Sequence, residues 1–194
     1  MRTFAILSIL LSSPARDEKA LRDAFQKEIK AKEPAKRVEA AKKLAGAKEE
    51  ETVALLAAHL KDAAKEVQLA VAETLEGAED LGGVAIKPLA AVLVDKKVDP
   101  DLRLACAKAI AKAKYKADPT AALIETISTI SNEDKHLFKF GADATGVLNG
   151  FTGQDFGVGK LTPGLWEKWW GENKEKLKKE DEAKLAEYKK SRKK

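Results

Sequence analysis

The chain has very little of what catalytic and metal-binding proteins use. It holds one cysteine, two histidines and eleven aromatic side chains in 194 residues. A single cysteine excludes an intrachain disulfide, and Cys106 with His59 and His136 forms no cluster at zinc or iron–sulfur spacing. No apolar run approaches the ~20 residues that span a bilayer. Strict apolar–polar alternation is also missing, so no strand pattern competes with helix. What is abundant is charge, 35% of the chain, together with alanine, a composition suited to long helices.

The formal charge of +5 invites a nucleic-acid reading until it is located. Residues 189–194, KKSRKK, carry +5 alone through Lys189, Lys190, Arg192, Lys193 and Lys194. The other 188 residues hold 31 basic and 31 acidic side chains, so the excess belongs to a tail. At the opposite end, MRTFAILSILLSSPA (1–15) has Arg2 ahead of an apolar stretch from Phe4 to Leu11. Ser13-Pro14-Ala15 then supplies small residues for cleavage. That pattern predicts an export signal, with a mature chain starting near Arg16 in a periplasmic or extracellular space; without a signal, the chain is cytoplasmic. No cysteine stands at the cleavage site to carry a lipid.

In residues 16–33, Ala20, Leu21, Ala24, Phe25 and Ile29 fall on one helical stripe and predict an N-terminal capping helix. From 34 to 150 the chain repeats itself. Three pieces begin alike, 35–46, 64–77 and 99–112, and each precedes a second apolar helix, 51–62, 84–95 and 120–132. Val53, Leu56, Leu60 and Asp62 line up with Ile86, Leu89, Leu93 and Asp95. A fourth, glycine-interrupted copy spans 136–150. The closing positions Leu44, Leu75, Ile110 and Leu148 stand 31, 35 and 38 residues apart. Helix pairs of this irregular period need neighbours, because each pair alone leaves an apolar face open. Asp99-Pro100 and Asp118-Pro119 each predict an N-cap before a first-turn proline. Pro88 falls in a first turn, and Gly46 and Gly77 stand where a helix end favours a left-handed residue.

The small residues Ala40, Val71, Cys106 and Ala144 in the first helices, and the Leu-x-x-x-Leu-x-Asp ends of the second, resemble HEAT repeats. The resemblance implies an all-α, right-handed superhelix of antiparallel helix pairs with capping helices at both ends. The arginine common near the start of such first helices is present as Arg37 and Arg103, with Gln68 in the second copy.

Residues 151–174 change composition. Seven of the eleven aromatics lie between Phe138 and Trp170, and eight of the twelve glycines between 141 and 171. Leu148, Phe151, Thr152-Gly153, Asp155-Phe156-Gly157, then Trp166, Trp169, Trp170 and Asn173 resemble the closing segment of exported bacterial HEAT-repeat proteins. The tryptophans are spaced i, i+3, i+4 on a helix opened by Thr162-Pro163. Three indoles on one face predict a cap that closes the stack, since each aromatic buries ~150–250 Å². Asp155, Trp166, Trp169 and Trp170 are also the candidate partner-binding residues, with Asp155 read first as a loop organiser. Residues 175–194 form a charged, basic tail that can extend the tryptophan helix through Glu–Lys pairs before fraying.

Three apparent motifs fail. Asp155-Phe156-Gly157 lacks every companion of a kinase metal triplet. Gly157-Val158-Gly159-Lys160 has Gln154 and Leu161 where a phosphate loop needs glycine and a hydroxyl. No Ser, His and acid set assembles. No catalytic residue, metal site or cofactor is therefore expected. The expected function is a monomeric, non-enzymatic scaffold that binds another protein. Specific nucleic-acid binding, as in HEAT-like DNA glycosylases, is the alternative that the neutral body disfavours. A further alternative is an envelope protein whose tail docks on an anionic surface.

Overall fold

The computed structural model describes residues 17–79, 82–130, 135–159 and 162–192, the side chains of 135 and 136 excepted. Among these residues the only regular structure is helix. The N-terminal segment 1–15, together with Lys193 and Lys194, lies outside the described residues. Nine α-helices follow in order: α1 (Glu18–Glu28), α2 (Pro34–Lys43), α3 (Glu50–Ala58), α4 (Lys65–Glu76), α5 (Ile86–Val94), α6 (Pro100–Ile110), α7 (Ala117–Ser128), α8 (Lys135–Thr152) and α9 (Thr162–Ser191). A tighter turn, His59–Lys61, extends α3.

Each of the three sequence copies contains two helices, α2 and α3, α4 and α5, α6 and α7, but the close contacts between layers join the second helix of one copy to the first of the next: α3 to α4, α5 to α6 and α7 to α8. Helices α2, α4, α6 and α8 lie side by side in one layer, and α3, α5, α7 and α9 in a second, with α1 against α2 and α3. The core sits between the layers. Ala40, Val71, Cys106 and Ala144, the small mid-helix residues of the first layer, are all completely buried. So are Val53, Leu56 and Leu93 of the second layer. Each fully buried Leu or Val contributes about 1.5–3 kcal/mol. Small side chains in one layer allow the helices to approach; the larger ones opposite fill the gap.

Polar side chains tie first-layer helices to the ends of second-layer helices. Arg37 holds Asp62 bidentately, Nε to Oδ2 at 3.0 Å and Nη2 to Oδ1 at 2.8 Å, and donates to the carbonyls of Ala31 and Lys32. Gln68, one copy on, donates to the Asp62 carbonyl at 2.6 Å. Arg103 donates to the Leu93 carbonyl at 2.8 Å and stacks over Phe140. All three residues reach the end of a second-layer helix, so Gln68 keeps the link without the charge.

Carboxylates from both terminal helices cap the second layer. Glu18 of α1 accepts the backbone N–H groups of Lys48 and Glu49 at the start of α3. Asp181 of α9 does the same for Lys116 and Ala117 at the start of α7, both at 2.7 Å.

Several sequence expectations need correction. Asp99 caps α6 by accepting the Asp101 N–H, but Asp118 lies inside the first turn of α7, whose orphan N–H groups are taken by Asp181. Gly46 is left-handed (φ 76), whereas Gly77 keeps right-handed helical geometry, because the chain turns later, at Gly83 (φ 72). Residues 175–191 do not fray: α9 runs unbroken to Ser191, held on one side by α7 and by contacts as far away as Glu50.

Candidate functional site

The aromatic segment builds downward from Trp166. This indole is 0% exposed and meets Phe156 edge-on at 4.8 Å and Trp169 at 5.6 Å. Its Nε1 is buried without an acceptor. Trp169 and Trp170 are half-buried against the core, and the Asn173 side chain donates to the Trp169 carbonyl. Asp155 is exposed in the loop before α9. Its Oδ1 accepts from the Asn149 amide and from the Gly157 N–H, both at 2.8 Å, which folds the turn. The structure thus brings the three tryptophans together and leaves Asp155 outside that cluster, occupied by its own loop.

Past Asn173, α9 runs antiparallel to α7. Glu167 accepts from Ser128 at the C-terminal end of α7, and Asp181 caps its N-terminus. Lys184 donates to the Lys114 carbonyl, and Arg192 pairs with Glu50 at the start of α3. Lys116 donates to the Phe151 carbonyl at 2.6 Å and lies 3.6 Å from the centre of that ring; burial lowers its pKa. Of the tail cations, Lys189 and Lys190 are exposed, whereas Arg192 is engaged by Glu50 within the chain.

Beneath this half of α9 lies a cavity of about 520 Å³. Its walls are Val84, Ile86, Tyr115 and Leu185, and its rim carries Lys87, Lys178, Asp118 and Glu182. A recess of about 300 Å³ continues it between α5 and α7, sharing Ile86, Lys87 and Asp118 and adding Ala90, Ala91, Val94 and Glu125. Together they make a trough along the outer face of the second layer, apolar at its floor and charged with both signs at its edges. A volume in this range accepts a drug-sized molecule or a few side chains of another protein.

Sequence reasoning placed candidate residues at the aromatic cap and missed the trough. The pointer was present: Trp166, Trp170, Asn173, Leu177, Asp181, Leu185 and Tyr188 continue one helical stripe through the charged segment. A lone acid in that stripe marks where α9 meets another helix end.

Among the described residues no group of three or more His, Cys, Asp or Glu stands close enough to hold a metal ion, and no helix is long and apolar enough to cross a membrane. Burial lowers the His59 pKa and pushes the Cys106 thiol up to about 12; the side chain of His136 lies outside the described residues. No family model, no curated protein and no solved structure matches the chain.

Proposed function

We propose that this chain is a non-enzymatic scaffold for another protein, a short HEAT-type solenoid whose helix pairs stack in a right-handed superhelix. The supporting observation is the trough between α5 and α7, an apolar floor on an outer face of a rigid helical stack. Repeat stacks present such surfaces by geometry alone, without cofactor or catalytic group. The first fifteen residues act as an export signal in this reading, and the partner is met in the periplasm or outside the cell. The charge balance of the body argues against a duplex nucleic acid as the partner.

Site-directed photo-crosslinking tests the proposal. A crosslinker at Ala91 or Glu125, both exposed in the recess, should trap the same protein in the native host. A crosslinker at exposed Glu73 of the first layer should not. Equal capture from Glu73 would overturn the assignment of this face.

A further inference from the structure

We infer that the C-terminal half of α9, residues 177–192, is a displaceable strap occupying in cis the docking site of an amphipathic helix that carries a carboxylate at the position of Asp181. This inference rests on the scaffold reading and adds what the partner looks like and how its site is regulated.

The two halves of α9 are held in different ways. The first is anchored by Trp166, fully buried, with Trp169 and Trp170 packed on the core. In the second, Leu177, Leu185 and Tyr188 are only half-buried, Leu185 against the edge of the core, and the one well-covered inward side chain is Asp181, 13% exposed. Its anchors are polar: two N–H bonds to Asp181, one from Lys184, and the Arg192–Glu50 pair. Water or another chain can replace each of these. The cap that Glu18 makes for α3 is different, because α1 backs it with Phe25, 1% exposed, and Ile29.

The space under the strap points the same way. A cleft of about 520 Å³, open to solvent, lies between α9, the start of α5 and the turn before α7, so this half of α9 is not packed along its whole inner face. Lifting the strap uncovers the full length of the trough and the N–H groups of Lys116 and Ala117. The strap need not unfold to leave. It continues a helix already nucleated at the tryptophans, and the pairs Lys176–Glu180 and Lys178–Glu175 join it to the preceding turn.

The incumbent shows the chemistry of its competitor. Asp181 meets the positive end of α7, and Leu185, four residues on, lines the cavity without filling it. A competing helix therefore presents an acid followed at i+4 by a side chain larger than leucine.

A peptide with the sequence of residues 175–192 and tryptophan in place of Leu185, fluorescently labelled, is the probe. It is titrated against three full-length chains: wild type, Asp181→Ala and Leu185→Trp. Removing the cap should open the strap and tighten peptide binding about fivefold, the ratio an ordinary cap supplies. Leu185→Trp fills the cavity from within and should weaken binding below wild type. Because the two variants act in opposite directions, loss of folding in one cannot imitate the result. Equal affinity in all three chains overturns the strap, and so does an Asp181→Ala chain that pairs with a second copy of itself instead of taking the peptide. If crosslinking at Ala91 succeeds but is indifferent to both variants, the strap falls and the scaffold stands. If the peptide order holds and no crosslink forms, the strap stands and the scaffold reading falls.

Discussion

Arg37 and Asp62 are 13% and 10% exposed at their side chains, and their bidentate bond lowers the carboxyl's pKa while raising that of the guanidinium. A depressed carboxylate contributes stability above its ordinary range, and that contribution is lost as pH falls through the lowered value. Arg37→Ala should therefore lower the denaturation midpoint at pH 7 and cost less at an acid pH, as Asp62 becomes protonated on passing through its lowered value. Urea titrations at the two pH values measure the difference; an equal cost at both would show that Arg37 acts through packing alone. Trp166 poses the opposite problem, a large apolar body with an orphaned N–H. Trp166→Ala should cost about 3–5 kcal/mol, as large core deletions do. Trp166→Phe should cost far less, because it discards a buried donor whose desolvation is worth about 1–3 kcal/mol. Paired thermal melts of the two variants decide it. Cys106, with its thiol pushed up to about 12, should resist alkylation at pH 8 until the chain is unfolded in urea.

At the scale of the element, two identical-looking Asp-Pro pairs separate. Asp99 accepts the Asp101 N–H and starts α6; among the described residues Asp118 accepts no backbone N–H, because α7 has already begun at Ala117 under Asp181. Asp99→Ala should cost about 1 kcal/mol, the usual worth of an N-cap. Asp118→Ala should cost below about 0.5 kcal/mol, as exposed substitutions do. Chemical denaturation of both variants checks the contrast, and equal costs would contradict it. The helices were legible because each depends on local spacing: Leu56 with Leu60 and Leu89 with Leu93 mark a buried face whatever lies opposite, but which helix lies opposite was not, since α3, α5 and α7 meet the first helix of the next copy. The cap of α7 was illegible for the converse reason. Its acid comes from Asp181, 64 positions beyond Ala117, and no local pattern encodes which distant helix supplies a carboxylate. The same holds for the trough, whose walls come from the turn before α5, the turn before α7 and the middle of α9.

Across the whole molecule, the charge of the chain has two addresses. Outside residues 189–194, acids and bases balance, and many of the exposed ones pair locally, as Lys43 with Glu28 and Lys65 with Asp99. Pairs of that kind leave little long-range field to attract a polyanion. The tail is different. Lys189 and Lys190 project from the last turn of α9, and Arg192 meets Glu50, so part of the tail holds the strap while the rest faces solvent. Each basic residue near an anionic membrane is worth about 1 kcal/mol, so even a few give measurable attachment at low salt. Full-length chain should therefore sediment with vesicles rich in anionic lipid at low ionic strength and come off as salt is raised. A chain lacking 189–194 should not sediment at all. Binding that survives the deletion would place a basic surface on the helical body and restore a polyanion as a partner. Because the deletion also removes the Arg192–Glu50 pair, the same truncated chain should take up the strap peptide more tightly than wild type. One truncation thus separates the two roles of the tail, one toward the membrane and one toward the strap.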